Sequence, residues 1–156
     1  MGAFYDLPMV AIAATLQQDL WEILSPATKS IKVHRIQLHQ SNRTTSEQLR
    51  ISVRKVTGAP TSGSSGGTIT PAPKSSLFAD PAMTVERNNT TRLSGGTQIS
   101  FPDLPMNIVG QGLDYVPSRE GSPIECAGNE RIVIGLETTP GASTIFSGNV
   151  EIEVVG

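Results

Sequence analysis

The C-terminal quarter of the chain, residues 130–156, contains two stretches in which apolar and polar residues alternate. The apolar positions are Ile132, Ile134 and Leu136 in the first stretch, and Phe146, Val150, Ile152 and Val154 in the second. Successive side chains of a β-strand point to opposite faces of a sheet, so each stretch predicts a half-buried strand. Pro140-Gly141 lies between the two stretches and is typical of a turn.

The N-terminal region predicts two further short strands, Met9–Leu16 and Leu20–Leu24. Leu16, Leu20 and Ile23 also have the spacing of a single helix across both segments. Because the neighbouring segments are plainly β, we favour two strands over one helix.

The long strand predicted at Ser30–Gln40 changes the face on which its apolar residues lie. These residues are odd-numbered up to Val33 and even-numbered from Ile36 onwards. One extra residue inside a strand, a β-bulge, produces such a shift. We place the bulge near His34 or Arg35.

Basic residues lie on the outer face of the next predicted strand, which is centred on Ile51. They are Arg50, Arg54 and Lys55. A basic face is one means of gripping phosphate, but no aromatic residues interleave here for base stacking, and the formal net charge of the chain is −2. We interpret these residues as a solvated face and expect no nucleic-acid partner.

The segment Thr57–Ser76 consists mainly of Gly, Ser, Thr, Pro and Ala. Such a composition cannot bury enough apolar surface to fold by itself. Only three or four strands precede it, so a long excursion from one sandwich, or an arm that orders against a neighbouring subunit, fits better than a linker between domains. We therefore predict a single domain over residues 1–156, with residues 57–76 as an extended loop or arm.

Several shorter segments complete the pattern. Strands are predicted at Ala82–Arg87, Gln98–Phe101, Met106–Val109, Leu113–Val116 and Ile124–Cys126, and a loop at Ser118–Pro123. Pro102 and Pro105 confine Met106–Val109 to an edge strand or to irregular structure. Eight to ten short strands with turn residues between them predict an all-β protein, an antiparallel β-sandwich of jelly-roll or related type.

The two histidines and the single cysteine are the first candidates for reactive or metal-binding chemistry. His34 and His39 lie on one predicted strand, roughly 15 Å apart even if the bulge brings them to the same face. Cys126 has no residue adjacent in sequence that would lower its pKa, so we interpret it as a small buried apolar residue in a reducing compartment. We expect no metal and no cofactor.

Acidic groups are the next candidates. Asp6, Asp19 and Glu22 form one grouping, and Glu151 and Glu153 form another. The latter two lie on one strand face about 7 Å apart, a separation at which glycosidases hold two carboxylates, but two solvated carboxylates are the simpler interpretation.

Catalytic sequence motifs are absent from the chain. The serines of residues 61–66 lie in low-complexity sequence with no nucleophile elbow, and the glycines there are not followed by a phosphate-binding lysine. The patterns therefore predict no catalytic residues and no enzyme activity.

Apolar stretches long enough for membrane insertion are also absent. No stretch approaches the roughly 18 apolar residues of a membrane span, and the mildly apolar segment Pro8–Leu16 has no basic flank before it. We expect no membrane partner, no signal peptide, and assembly in a cytosol.

The order of segments resembles small β-sandwich proteins encoded among tailed-phage and prophage head genes. The resemblance covers nearly the whole chain and is carried by AIAATLQQDLWEILSPATKSIKVHRIQLHQS, EQLRISVRKVTG, the Gly/Ser-to-TPAP segment, TVERNNTT and ERIVIGLETTPGASTIFSGNVEIEVVG. It implies a virion structural protein of the decoration or cement type on the capsid surface, bound to the major capsid protein lattice, often as a homotrimer. It implies no catalytic residues.

Two alternatives remain open. One is a tail- or fibre-associated module that binds host glycans, for which only Trp21, Tyr5 and Tyr115 offer aromatic platforms, and Trp21 has the apolar neighbours of a core residue. The other is a small metal-dependent enzyme of the cupin kind, against which the separation of the two histidines argues.

Overall fold

The computed structural model describes residues 2–110, 112–117 and 123–156. In this part of the chain 58% of residues are in strands, there is no helix, and two antiparallel sheets pack against each other. The predicted all-β sandwich is therefore confirmed, and the N-terminal region forms strands rather than a helix. With no helix among the described residues, none of them forms a helical membrane span.

The thirteen strands of the described residues are numbered in chain order. Sheet A contains β1 (Ala3–Ala14), β3 (Ser30–Gln40), β6 (Ala72–Pro73), β10 (Leu113–Tyr115), β11 (Ile124–Cys126) and β13 (Thr144–Val155). Sheet B contains β2 (Gln18–Leu24), β4 (Gln48–Thr57), β5 (Gly67–Thr68), β7 (Thr84–Asn89), β8 (Thr97–Ser100), β9 (Leu104–Asn107) and β12 (Arg131–Leu136).

The strand pairing is that of a jelly roll. The order in sheet A is β10-β3-β13-β1-β6, with β11 also on β3, and in sheet B it is β5-β7-β2-β12-β4-β8, with β9 also on β4. Thus β1 pairs with β13, β2 with β12, β3 with β10 and β11, and β4 with β8 and β9, which is one long antiparallel hairpin rolled into two sheets. The remaining strands, β5 to β7, are added at one side.

Three bulges adjust the direction of side chains. In β3, Arg35 pairs with Glu151 but Val33 pairs with Ile152, so His34 is the extra residue and the predicted bulge is confirmed. In β1 the register shifts between Met9 and Ile12. In β2 it shifts at Leu20, because Trp21 pairs with Ile134 and Asp19 with Gly135.

The main core lies between the two sheets and contains the predicted apolar positions of β12 and β13. Trp21 is fully buried in it, and its indole N–H donates to the Leu7 carbonyl oxygen over 3.1 Å. The aromatic content of the chain is only 4%, so Ile, Val and Leu fill most of this space. Cys126 is also fully buried, as predicted.

The segment after β4 wraps around the open side of the sandwich where β1 and β2 are the outer strands. It pairs with β7 of sheet B through β5, crosses to β1 of sheet A through β6, and returns to sheet B as β7. Residues 69–83, which make this crossing, are called the strap below. The segment predicted as an extended loop or arm thus contains two short strands that pair with its own sheets.

Strand boundaries differ from the predictions at a few points. β1 begins at Ala3, before the predicted Met9, and β9 covers Leu104–Asn107 and pairs only with β4, as an edge strand. The loop predicted at Ser118–Pro123 lies outside the described residues except for Pro123.

Candidate functional site

Four loops lie side by side at one end of the sandwich. They join β1 to β2, β12 to β13, β3 to β4, and β9 to β10. The strands that they connect lie in the same order in both sheets, so the loops lie in that order across this end. This four-loop end comprises residues 15–17, 137–143, 41–47 and 108–112, of which residue 111 lies outside the described part. Neighbouring strands are about 4.8 Å apart, so the row is about 14 Å wide between its outer strands.

The two central loops are joined by side chains of the β3–β4 loop. Asn42 Nδ2 donates to the Ser143 carbonyl oxygen over 2.9 Å, and its Oδ1 accepts from the Ile145 N–H over 2.7 Å. Glu47 Oε1 accepts from the Gly141 N–H over 2.9 Å. These bonds fix the β12–β13 loop against its neighbour.

The outer loops are attached in the same way. Gln40 Nε2 donates to the Ile108 carbonyl oxygen over 2.7 Å, which ties the β9–β10 loop to the β3–β4 loop. Gln17 Nε2 donates to the Glu137 carbonyl oxygen over 2.6 Å, which ties the β1–β2 loop to the β12–β13 loop. All four loops are thus connected in a row by hydrogen bonds between their described residues.

Each outer loop of the row exposes one large apolar side chain. Leu16 is 40% exposed in the β1–β2 loop and Val109 is 49% exposed in the β9–β10 loop. The centre of the row is polar, with Arg43 3.4 Å from Glu47. A stiff surface with two separated apolar contacts suits binding to a rigid partner, because little conformational freedom is lost on association.

The candidate histidines and carboxylates are engaged with other groups. His34 Nε2 lies 3.0 Å from Glu153 Oε2, whereas His39 is an exposed residue of β3. Glu151 Oε2 lies 2.5 Å from Lys74 Nζ on the strap, so Glu151 and Glu153 each have a cationic or histidine partner, and their side chains remain partly exposed, at 27% and 19%. The described residues contain no group of three or more His, Cys, Asp or Glu placed to hold a metal ion.

Cys126 has the chemistry of an unreactive thiol. Burial, with a smaller contribution from the negative charge of Glu130, raises its pKa to about 12. A thiol with such a pKa remains protonated at neutral pH and is a poor nucleophile.

Two of the three aromatic residues considered for glycan binding lie in the core. Trp21 is fully buried, and Tyr5 is buried with its hydroxyl donating to the Ala79 carbonyl oxygen over 2.5 Å. A sugar ring needs an exposed aromatic face, so neither of these residues forms a platform in this fold.

The outer face of sheet B carries a buried charge network that the sequence patterns did not predict. Asp19 is fully buried, and its Oδ1 accepts from Arg54 Nη2 over 2.7 Å and from Arg92 Nε over 3.2 Å. Its Oδ2 accepts from the Leu93 N–H over 2.7 Å. Arg54, predicted to lie on a solvated face, is only 9% exposed and is committed to Asp19.

The network continues along the sheet to Glu137. Arg92 donates to both carboxylate oxygens of Glu137 over 2.9 and 2.5 Å, and Ser52 donates to the same carboxylate. Burial raises the pKa of Glu137, but the hydrogen bonds from Arg92 and Ser52 and the nearby positive charges outweigh it and hold the pKa below its usual value. A Cβ at Gly135 would come within 3.0 Å of the Arg92, Glu137 and Ser52 side chains, so the glycine leaves room for their mutual contacts.

A second cluster lies beside the first on the same face. Glu22 is buried, with Oε1 3.0 Å from Arg131 Nε. Its Oε2 accepts from the Gly63 N–H over 2.9 Å and from Asn89 Nδ2 over 3.1 Å. The Gly/Ser-rich segment is thus held onto sheet B by a buried carboxylate.

The bulge in β2 explains why the sequence did not reveal this network. Asp19 and Glu22 are three residues apart and would face opposite sides of a regular strand. The extra residue, Leu20, brings both carboxylates to the outer face. Asp6, the third member of the acidic grouping in the sequence, lies instead on sheet A.

The strap and the edge of β1 enclose a cleft of about 360 Å³. Its walls are mainly apolar and include Tyr5, Ile69, Phe78 and Met83, together with three prolines. Asp80 and Thr70 supply its polar groups.

No protein family model, no curated protein and no solved structure matches this chain. The candidate surfaces therefore stand on their geometry alone.

Proposed function

We propose that this protein is a virion structural protein, a decoration or cement protein that binds the major capsid protein lattice and stabilises the head. In this proposal it acts on the capsid surface as a homo-oligomer, with a trimer favoured, after assembly in the host cytoplasm. The four-loop end carries the proposal, because it presents a stiffened surface with an apolar side chain at each margin.

The physical demands on a cement protein agree with this surface. Such a protein joins shell subunits that are themselves rigid, so affinity depends on a surface that is already in its bound conformation. The cross-loop bonds of Gln40, Asn42 and Glu47 provide this order before binding. Repeated attachment of an oligomer across the lattice then multiplies modest contacts into high avidity.

The resemblance of the chain to phage head sandwich proteins supports the identity of the partner. The jelly-roll pairing is compatible with a role in binding. Fold alone does not assign a function, so the proposal depends on the four-loop end.

The direct test is co-sedimentation of the purified protein with shells of the encoding virus that lack it. We expect saturable binding, and we expect Leu16→Asp and Val109→Asp each to weaken it roughly tenfold, because each places a charge in an apolar contact. Ile99→Asp is the matched control, since Ile99 on β8 is as exposed as Val109, at 49%, but lies away from the four loops.

The same shells provide the functional measurement. Shells that carry the wild-type protein should survive heating or low ionic strength better than bare shells, and electron microscopy should show added density. No binding to shells, or equal loss of binding in the Ile99→Asp control, would contradict the proposal.

A further inference from the structure

The strap combines an apolar cleft with an exposed leucine. Leu77 is 90% exposed, the largest exposed fraction among the large apolar side chains of the described residues. It precedes Phe78, whose ring is one wall of the cleft. An apolar cleft and a large apolar side chain on one surface segment are typical of an interaction site.

Leu77 is held in place by a local turn. The Phe78 N–H donates to the Ser75 carbonyl oxygen over 3.0 Å, and the Leu77 N–H lies 3.3 Å from Ser75 Oγ. The base of the strap is fixed as well, because Lys74 Nζ lies 2.5 Å from Glu151 and the Lys74 N–H donates to the Phe4 carbonyl oxygen over 2.9 Å. The leucine is therefore presented outward from an ordered backbone.

The edge of the sheet beside the cleft is poorly suited to pairing with another strand. β6 is two residues long and one of them is Pro73, which has no N–H to donate. The charged side chain of Lys74 follows immediately, and charges on an edge oppose strand addition. A partner at this surface must therefore bind by inserting a side chain rather than by extending the sheet.

We propose that Leu77 of one copy inserts into the strap cleft of a second copy of this chain. The contact covers two apolar features at once, the exposed leucine and the half-buried cleft walls formed by Phe78 and Met83. Because each copy carries both parts, the contact either is exchanged between two copies or passes around a closed ring. The inference rests on the homo-oligomer of the proposed function and identifies its self-association surface.

The first test measures self-association by sedimentation over a range of concentrations. Leu77→Asp should raise the dissociation constant between copies roughly 10- to 100-fold, because it removes a buried leucine and adds a charge to an apolar cleft. Ser76→Asp adds the same charge at the preceding exposed residue and should leave the constant within about threefold of wild type. Since Leu77 is exposed in the monomer, both variants should keep the wild-type unfolding temperature at concentrations where the wild-type protein is also monomeric.

The second test traps the contact between two different variants. Copies with Leu77→Cys are mixed with copies carrying Thr70→Cys, a lining residue of the cleft, and are then oxidised gently. We expect a disulfide only in the mixture, and Cys126 should not compete because its pKa is raised to about 12. Absence of the mixed disulfide while wild type remains oligomeric would overturn the inference.

Failure of this inference is distinguishable from failure of the proposed function. A wild-type protein that is monomeric at all concentrations overturns the leucine contact, whether or not it binds shells. Oligomers that depend on Leu77 but do not bind shells overturn the capsid proposal and leave the contact standing. If both proposals hold, Leu16→Asp should remain oligomeric but bind shells roughly tenfold more weakly, and Leu77→Asp should bind shells with reduced avidity.

Discussion

The outer faces of the two sheets carry similar kinds of residues in different surroundings. On sheet B, the loops around Gly63 and Leu93 donate backbone N–H groups to the buried carboxylates of Glu22 and Asp19. On sheet A, Arg35 and Asp114 form a bidentate pair whose side chains remain about half exposed, at 43% and 53%. Arginine–carboxylate ion pairs are thus buried on sheet B and exposed to solvent on sheet A.

The covering loops account for the difference. Leu93 packs with Val56 and Val133 in a small second core on the outside of sheet B, and two isolated bridges, Thr61 to Ser94 and Ser64 to Thr91, hold the loops together. Once water is excluded, each charge needs a partner, because a buried unpaired charge is costly. The network of Asp19 and Arg92 meets this need and also fixes the loops.

The largest expected effect is on the central carboxylate of the covered face. Asp19→Ala should lower the free energy of unfolding by about 3–5 kcal/mol, because it leaves Arg54 buried without its partner. Asp114→Ala removes the corresponding partner of Arg35 on the exposed face and should cost much less, because solvent screens an exposed ion pair. Urea denaturation of both variants measures this, and equal losses would show that the cover on sheet B does not exclude water.

The second core should give an intermediate effect. Leu93→Ala removes its central side chain and should cost about 2–3 kcal/mol in urea denaturation. Leu16→Ala is the same substitution at a partly exposed position of the four-loop end and should change stability by less than about 1 kcal/mol. We further expect amide protons of residues 90–96 to exchange faster in Leu93→Ala. Unchanged exchange there would show that the order of these loops does not depend on the second core.

Acid should lower the stability of the protein by protonating Glu137, and this effect should be the smallest of the three. The pKa of Glu137 is lowered in the folded state, so its stabilising contribution is complete above the unfolded value, about 4.3, and is lost as the pH falls through the folded value. Glu137→Gln should cost about 1–2 kcal/mol at pH 7 and remove that component of the acid dependence. Urea midpoints between pH 7 and 3 measure it, and parallel curves for wild type and variant would contradict it.

Local patterns in the sequence were sufficient for the sandwich itself. Period-two alternation predicted β12 and β13, and the parity change around His34 located the bulge in β3. These features depend only on which face of a strand each residue occupies. Gly, Pro and Ser between the segments marked the turns, so the class of fold followed from residues close together in the chain.

The candidate surfaces depended on contacts between residues far apart in sequence. Arg54 and Asp19 are 35 residues apart in sequence, and Asn42 and Ser143 are 101 residues apart. The residue pattern along a single strand predicts neither pair. The bulge at Leu20 and the covering loops decide that Asp19 is buried, and the rolled topology decides which four loops become neighbours. The sequence by itself determined β3, β12 and β13 and their inner faces, because side-chain alternation is a local property. Only the tertiary structure decided what covers the outer faces, because burial of a charge depends on which distant segments fold over it.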